Sequence, residues 1–184
     1  YEASRADATE GNAGILNGRA CARASVLPWT DLTFDQAKSA CEAAGVSLCD
    51  KNDWVSACKG PGDACAWSYT SGGNCTNYPS NGANACNGHN VNAEPGDADT
   101  DVLKPTGSLA NCFTDYGAAG QVFDLSGNAK EWTSDEMSPT QNPVRGGSYN
   151  NAPSGLQCDF DFSVGGPLLH LPNVGFRCCT SVAP

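Results

Sequence analysis

The sequence predicts an α+β domain that is loop-rich and stapled by disulfides, and three observations carry that expectation. Two short amphipathic segments between residues 33 and 60 precede a long irregular body. Only 28 of the 184 residues are Leu, Ile, Val or Phe, below the ~20% at which a highly charged chain is expected to stay unfolded. Against that stand 11 cysteines and 4 tryptophans. Crosslinks worth ~2–4 kcal/mol each restrict the unfolded chain and offset the missing aliphatic core. The length fits one domain over residues 1–184.

Residues 1–20 are polar, with Gly11, Gly14 and Gly18, and read as an N-terminal arm or an edge strand. Thr33-Phe34-Asp35-Gln36 is a capping box, Thr33 serving as N-cap while Gln36 reaches back. Phe34, Ala37, Cys41 and Ala44 then recur at helical spacing, and Gly45 ends the helix. A second helix starts at Asp50 with Asp53 at its third position; Trp54 and Cys58 share a face, and Gly60 stops it. Residues 61–107 are dense in Gly, Asn, Asp, Ser and Cys, so disulfides, bound ions or both must hold them. Residues 122–133 set apolar anchors around a tight turn at Gly127. Pro143–Tyr149 reads as a strand with a glycine kink, and Asn173–Cys179 as a last short strand. On such a strand adjacent Cys178 and Cys179 point to opposite faces and so take different partners.

Composition also excludes function classes. The formal charge is −10, from 10 basic against 20 acidic residues, and no basic cluster exists. Nucleic acid is thereby excluded as a partner, since phosphates need clustered Lys and Arg. No window approaches 18 consecutive apolar residues, so no membrane span is expected. No basic segment followed by an apolar stretch opens the chain, as expected of a mature or trimmed form. The cysteine content predicts an oxidising compartment, secreted, extracellular or at the cell surface.

Three segments in order carry a resemblance: Trp29 through Cys58, Gly127-Asn128-Ala129-Lys130-Glu131-Trp132-Thr133, and Arg145-Gly146-Gly147-Ser148-Tyr149 with Asn173–Cys178. Together they resemble the formylglycine-generating-enzyme (sulfatase-modifying factor) family over roughly residues 27–180. The resemblance implies a variant of the C-type-lectin fold. Family enzymes oxidise a substrate cysteine with copper held by two thiolates, three and eight positions after the serine that matches Ser148. Here those positions are Asn151 and Leu156, so neither thiolate is in place. Lys130 stands where the family has a tryptophan. Iron-dependent relatives need three histidines, and only His89 and His170 exist. No catalytic residue is therefore expected, and Asp159 and Asp161 alternate on a strand without implying acid–base work.

The resemblance also implies structural calcium. One site would use Asp124, the Gly127 and Ala129 carbonyls and Glu131, an oxygen-rich shell of the kind Ca²⁺ requires. The alternative is a hairpin or helix N-terminus at which the two carboxylates merely cap. A second site would use Asn87, the Gly88 carbonyl, Asp101 and the Leu103 carbonyl, with Asp97 and Asp99 close by; the alternative is a solvated acidic loop. The resemblance further pairs Cys41 with Cys178 and Cys58 with Cys158. Cys86 with Cys112 is an added expectation, a staple across the Asp-rich loop, and the other cysteines stay open. Eleven is odd, so at least one cysteine is free, modified or bonded to another chain.

The leading expectation is a secreted, non-catalytic, calcium-stabilised lectin-like module for ligand binding or surface structure. Its partner would be a glycan, a protein or a second copy of the chain. The ligand face would come from residues 61–110 and 150–172 with Tyr149, Asn150 and Asn151. Phe160 and Phe162 would stack on a ligand there or belong to the core. Two alternatives stand beside it: a copper-dependent oxidase with a rearranged thiol site built on Cys158, and a disulfide-linked subunit of an extracellular filament.

Overall fold

Local capping starts both helices. The Thr33 hydroxyl accepts from the Gln36 amide while the Gln36 side chain accepts from the Thr33 amide, and a helix runs from Phe34 to Ala43. The Asp50 carboxylate accepts from the Asp53 amide at the head of a second helix, Lys51–Lys59. Gly60 ends it at φ +75°. These helices bury Phe34, Ala37, Ala40 and Cys41 on the first and Trp54 and Cys58 on the second.

A computed structural model describes residues 1–69, 75–76, 86–89, 101–135, 138, 140–163, 166 and 168–180. Its elements in chain order are β1 (Ala3–Ser4), β2 (Cys21–Ala22), α1 (Phe34–Ala43), β3 (Ser47–Leu48), α2 (Lys51–Lys59), β4 (Phe113–Asp115), β5 (Gln121–Phe123), β6 (Lys130–Trp132), β7 (Pro143–Arg145), β8 (Phe162–Ser163), β9 (Val174–Phe176) and β10 (Cys178–Cys179). The largest sheet has the order β8-β7-β6-β9, with β6 and β9 parallel and the other pairs antiparallel. Three antiparallel two-stranded pairs surround it: β1 with β2, β3 with β10, and β4 with β5.

The strands are shorter than the sequence patterns suggested, for identifiable reasons. The segment from Pro143 leaves the sheet after Arg145 because Gly146 and Gly147 both take positive φ, +85° and +67°. The last strand is broken in two at Arg177. Val174–Phe176 pair with β6, whereas Cys178 and Cys179 pair with β3, so Arg177 turns inward between them, 6% exposed. The N-terminal arm is docked through Ala3↔Ala22 and Ser4↔Cys21.

Three apolar clusters fill the interior, and each includes cysteine. Trp29, Leu32, Phe34, Trp132, Val174 and Phe176 pack with Cys41; Trp54 and Leu125 with Cys49, Cys58 and Cys158; Trp67, Tyr69 and Leu156 with Cys86 and Cys112. The disulfides are Cys41–Cys178, Cys49–Cys179, Cys58–Cys158, Cys65–Cys75 and Cys86–Cys112. Cys178 and Cys179 go to different partners, and Cys21, half-buried, keeps a free thiol. Among the described residues no helix is long and apolar enough to cross a membrane.

Candidate functional site

The segment around Gly127 crosses between sheets, since β5 pairs with β4 while β6 joins β7 and β9. Asp124, Gly127 and Asn128 take φ of +60°, +89° and +63°. Gly127 is required here twice over: a Cβ would sit 2.3 Å from the Asn87 carbonyl oxygen, and the positive φ is one L side chains rarely adopt. The turn is held by backbone bonds from Gly127 N to Gly146 O and from Asn128 N to Asn87 O, each 2.7 Å.

Asn128 is the hub. Its Oδ1 accepts from Asn87 Nδ2 (2.8 Å) and Lys104 N (2.9 Å), and its Nδ2 donates to Glu2 Oε2 (2.7 Å). The other Glu2 oxygen accepts from Ala129 N at 3.0 Å. A buried glutamate from the N-terminal arm thus completes the turn, 126 residues away in sequence. Nothing local in the sequence marked Glu2 for this role.

Glu131 is paired with a guanidinium. Arg177 grips both of its oxygens, Nε on Oε2 at 3.0 Å and Nη2 on Oε1 at 2.8 Å, and Trp54 Nε1 donates to Oε2 at 2.6 Å. Arg177 also donates to the Phe123 carbonyl, 2.8 Å. Asp124 Oδ2 accepts from Gly107 N at 2.7 Å. Glu2, Asp124 and Glu131 are buried in one region with Arg177 and the Tyr1 amino group. Burial, then repulsion from Asp124 and Glu131, pushes Glu2 well above the ordinary carboxyl range. Burial lifts Asp124 to about 6. Burial works against the Arg177 charge, yet its acidic neighbours, Glu131 first, hold its pKa above the usual value.

In the second expected group, Asn87 and Asp101 each meet a different neighbour. Asn87 Nδ2 donates to the Val102 carbonyl (2.9 Å), which sets the amide against the 101–103 segment. Asp101 Oδ1 lies 3.4 Å from His89 Nδ1. Gly88 is pressed against the neighbouring turn: a Cβ there would be 3.1 Å from the Asn151 carbonyl oxygen. Asp97 and Asp99 lie outside the described residues. Among the described residues no three His, Cys, Asp or Glu side chains are placed to hold a metal ion together. A cation at this turn would therefore draw on amide and carbonyl oxygens, which calcium accepts.

The positions of the family's thiolates are built differently. Asn151 Oδ1 accepts from Ser148 N and Ser148 Oγ, both at 2.9 Å, and closes a turn that Asn150 and Asn173 also join. The amide oxygens of Asn150 and Asn151 are thus spent within the turn, and Tyr149 is half-buried above Asn128, its amide donating to the Asn128 carbonyl. Leu156 is fully buried. Cys158, the thiol on which a rearranged copper site would depend, is bonded to Cys58. Lys130 sets its ammonium 4.9 Å from the Phe162 ring centre. Phe162 packs against the main core, and Phe160 stands 39% exposed beside it. His89 and His170 lie apart, the latter bonded to Asp31 at 2.8 Å. Much of the 61–110 portion of the expected ligand face (70–74, 77–85 and 90–100) lies outside the described residues.

With that geometry in hand, the chain can be set beside known proteins. The family model described as a sulfatase-modifying factor enzyme 1-like domain matches residues 4–182. The structure is similar to that of Treponema denticola variable protein 1, at 14% identity and a TM-score of 0.59 over 92% of this chain and 78% of that one. It is also similar to PvdO from Pseudomonas aeruginosa, at 16% identity and a TM-score of 0.61 over 90% of this chain and 69% of that one. Identities this low show a shared fold and nothing more. No curated protein sequence matches significantly.

Proposed function

The chain belongs to the sulfatase-modifying factor enzyme 1-like domain family, and from that premise we propose that it is a secreted, non-catalytic, calcium-stabilised lectin-like binding module. The observation that carries the reading is the fate of the soft-metal pocket. Asn151 is tied into a turn, Leu156 is core, and Cys158 is crosslinked. The copper of the family's enzymes is held by two thiolates, soft ligands that suit Cu(I), whereas ten of the cysteines here are committed to disulfides. Those disulfides suit an oxidising compartment. Loops carried on such a stapled scaffold are where binding surfaces concentrate.

The two calcium expectations fare differently on chemistry. At Asp124, Gly127, Ala129 and Glu131 the residues fit the ion poorly, because Arg177 already holds both Glu131 oxygens and Asp124 Oδ2 already accepts from Gly107 N. At Asn87, Gly88, Asp101 and Leu103 the donor types suit the ion, since an amide, two carbonyls and one half-exposed carboxylate are oxygens of the kind Ca²⁺ takes. An ion there would brace the 101–103 segment and, through Asn87 and Asn128, the central turn. Thermal unfolding in chelator and in millimolar calcium tests this. A ligand bound only by the folded state adds about 2.7 kcal/mol at a hundred times its Kd, so calcium raises the melting temperature of the wild type and leaves that of Asp101→Asn unmoved. Equal melting of the wild type in both solutions removes calcium from the account.

One observation favours a second reading. Cys21 is the only cysteine without a sulfur partner and lies on the short edge strand β2, so a disulfide-linked assembly would form through it. Sizing with and without reductant distinguishes that assembly from a monomer.

A further inference from the structure

A cleft of about 310 Å³ lies along the outer face of α2. Lys51, Asn52 and Lys59 line it from the helix, Asp63 from the turn beyond, and Asp159 and Asp161 from the far wall. Arg145 also lines it. That guanidinium is 1% exposed, and its Nη2 donates to Asp161 Oδ2 at 3.1 Å. Among the described residues its Nε has no hydrogen-bond partner. A buried charged donor left unpaired costs more than a made bond gains, so an acceptor that reached Arg145 from the cleft would gain more than an ordinary hydrogen bond.

We propose that this cleft binds a sugar acid, with the carboxylate directed to Arg145 and the hydroxyls shared among the helix and the far wall. The lining charges decide the class of ligand. Three cations, Lys51, Lys59 and Arg145, face three carboxylates, Asp63, Asp159 and Asp161. A bare anion meets as much repulsion as attraction, on a chain whose net charge is already −10. A neutral sugar leaves the Arg145 Nε unmet. A hexuronate supplies one planar carboxylate for the guanidinium fork and several hydroxyls that both donate to Asp and accept from Asn, Ser and Lys. Lys59 is held 2.9 Å from Asp159, whose side chain is 69% exposed, so the far wall can turn toward a ligand without unburying anything. The cleft has room for one such ring, within the usual range for small-molecule sites.

The inference deepens the binding-module reading and rests on it. Titrations of the full chain with glucuronate, glucose and acetate, followed by calorimetry or amide shifts, test it. Glucuronate is expected to bind at least tenfold more tightly than either of the others. Lys51→Glu reverses a lining charge at the first turn of α2, where an acidic residue favours the helix, so its expected tenfold loss of glucuronate affinity does not come from unfolding. Arg145→Lys should lose as much if the chain still folds. Equal affinity for acetate and glucuronate, equal affinity for glucose, no binding, or binding indifferent to Lys51→Glu each overturns the proposal. Such a failure leaves the calcium shift in melting temperature untouched. A missing calcium shift with glucuronate bound instead overturns the calcium reading alone.

Discussion

Glu131 lies at the intersection of three long-range contacts, with Arg177 on both oxygens and Trp54 on one. Buried ion pairs add little over an apolar replacement, but breaking one strands the other charge. Glu131→Gln should therefore cost about 3–5 kcal/mol in urea unfolding, well beyond the ~1–3 kcal/mol of a lost neutral hydrogen bond; a loss in that lower range would mean that the pair is not buried as described. The neighbouring carboxyls set a pH dependence. Asp124 is raised by burial from an ordinary 3.8 to about 6, and Glu2 moves the same way. A carboxyl that holds its proton more tightly when folded contributes in full below its unfolded value and loses that contribution as pH rises through its folded one. In chelator the melting temperature should fall between pH 4 and pH 6, opposite to the rise expected of salt-bridged carboxylates. Of this cluster, the sequence made Asp124 and Glu131 legible through the motif they sit in. Glu2 and Arg177 were not legible: one lies on an arm with no local pattern, the other inside what reads as an unbroken strand. Their meaning lies in contacts across 126 and 46 residues.

At the scale of elements, legibility followed locality. Both helices were readable to within a residue or two because their caps are three-residue interactions, Thr33 with Gln36 and Asp50 with Asp53. Of the strands, only those within Pro143–Tyr149 and Asn173–Cys179 and an edge strand in the N-terminal arm were readable. The first two came out shorter because the Gly146–Gly147 conformation ends one and the inward-turning Arg177 divides the other. Gly45 and Gly127 separate the two jobs glycine does. Both have positive φ, +79° and +89°. A Cβ at Gly45 meets nothing within 4 Å, whereas one at Gly127 meets the Asn87 backbone at 2.3 Å. Gly45→Ala should then cost only the ~1–2 kcal/mol of a left-handed L residue. Gly127→Ala should exceed it, and should also raise hydrogen exchange at Asn128, whose amide bonds to Asn87 O. Equal costs at the two positions would show that the Asn87 segment moves aside freely.

For the whole molecule the disulfides divide into two groups by the length of chain they close. Cys41–Cys178, Cys49–Cys179 and Cys58–Cys158 span 137, 130 and 100 residues. All three join the two-helix segment to the last third of the chain. Cys65–Cys75 and Cys86–Cys112 span only 10 and 26. The two longest links run from α1 and from Cys49, the residue after β3, to the adjacent cysteines of β10, and so fasten the final strand to the helical segment. The resemblance made only the first of these legible. The second follows from pairing Cys179 opposite Ser47 in the sheet, a register that no composition shows. In the chain-entropy account, closing 137 residues restricts the unfolded state by roughly 5 kcal/mol and closing 10 by roughly 2.7. Cys41 and Cys178 also belong to the main apolar cluster, whereas Cys65 and Cys75 belong to none of the three. Replacing Cys65 and Cys75 together by Ala should therefore lower the urea midpoint modestly with an unchanged slope. Replacing Cys41 and Cys178 should lower it by at least twice as much and, in a chain with so few aliphatic residues, leave little folded protein at 37 °C. Similar losses from the two pairs would mean that packing rather than crosslinking carries this fold.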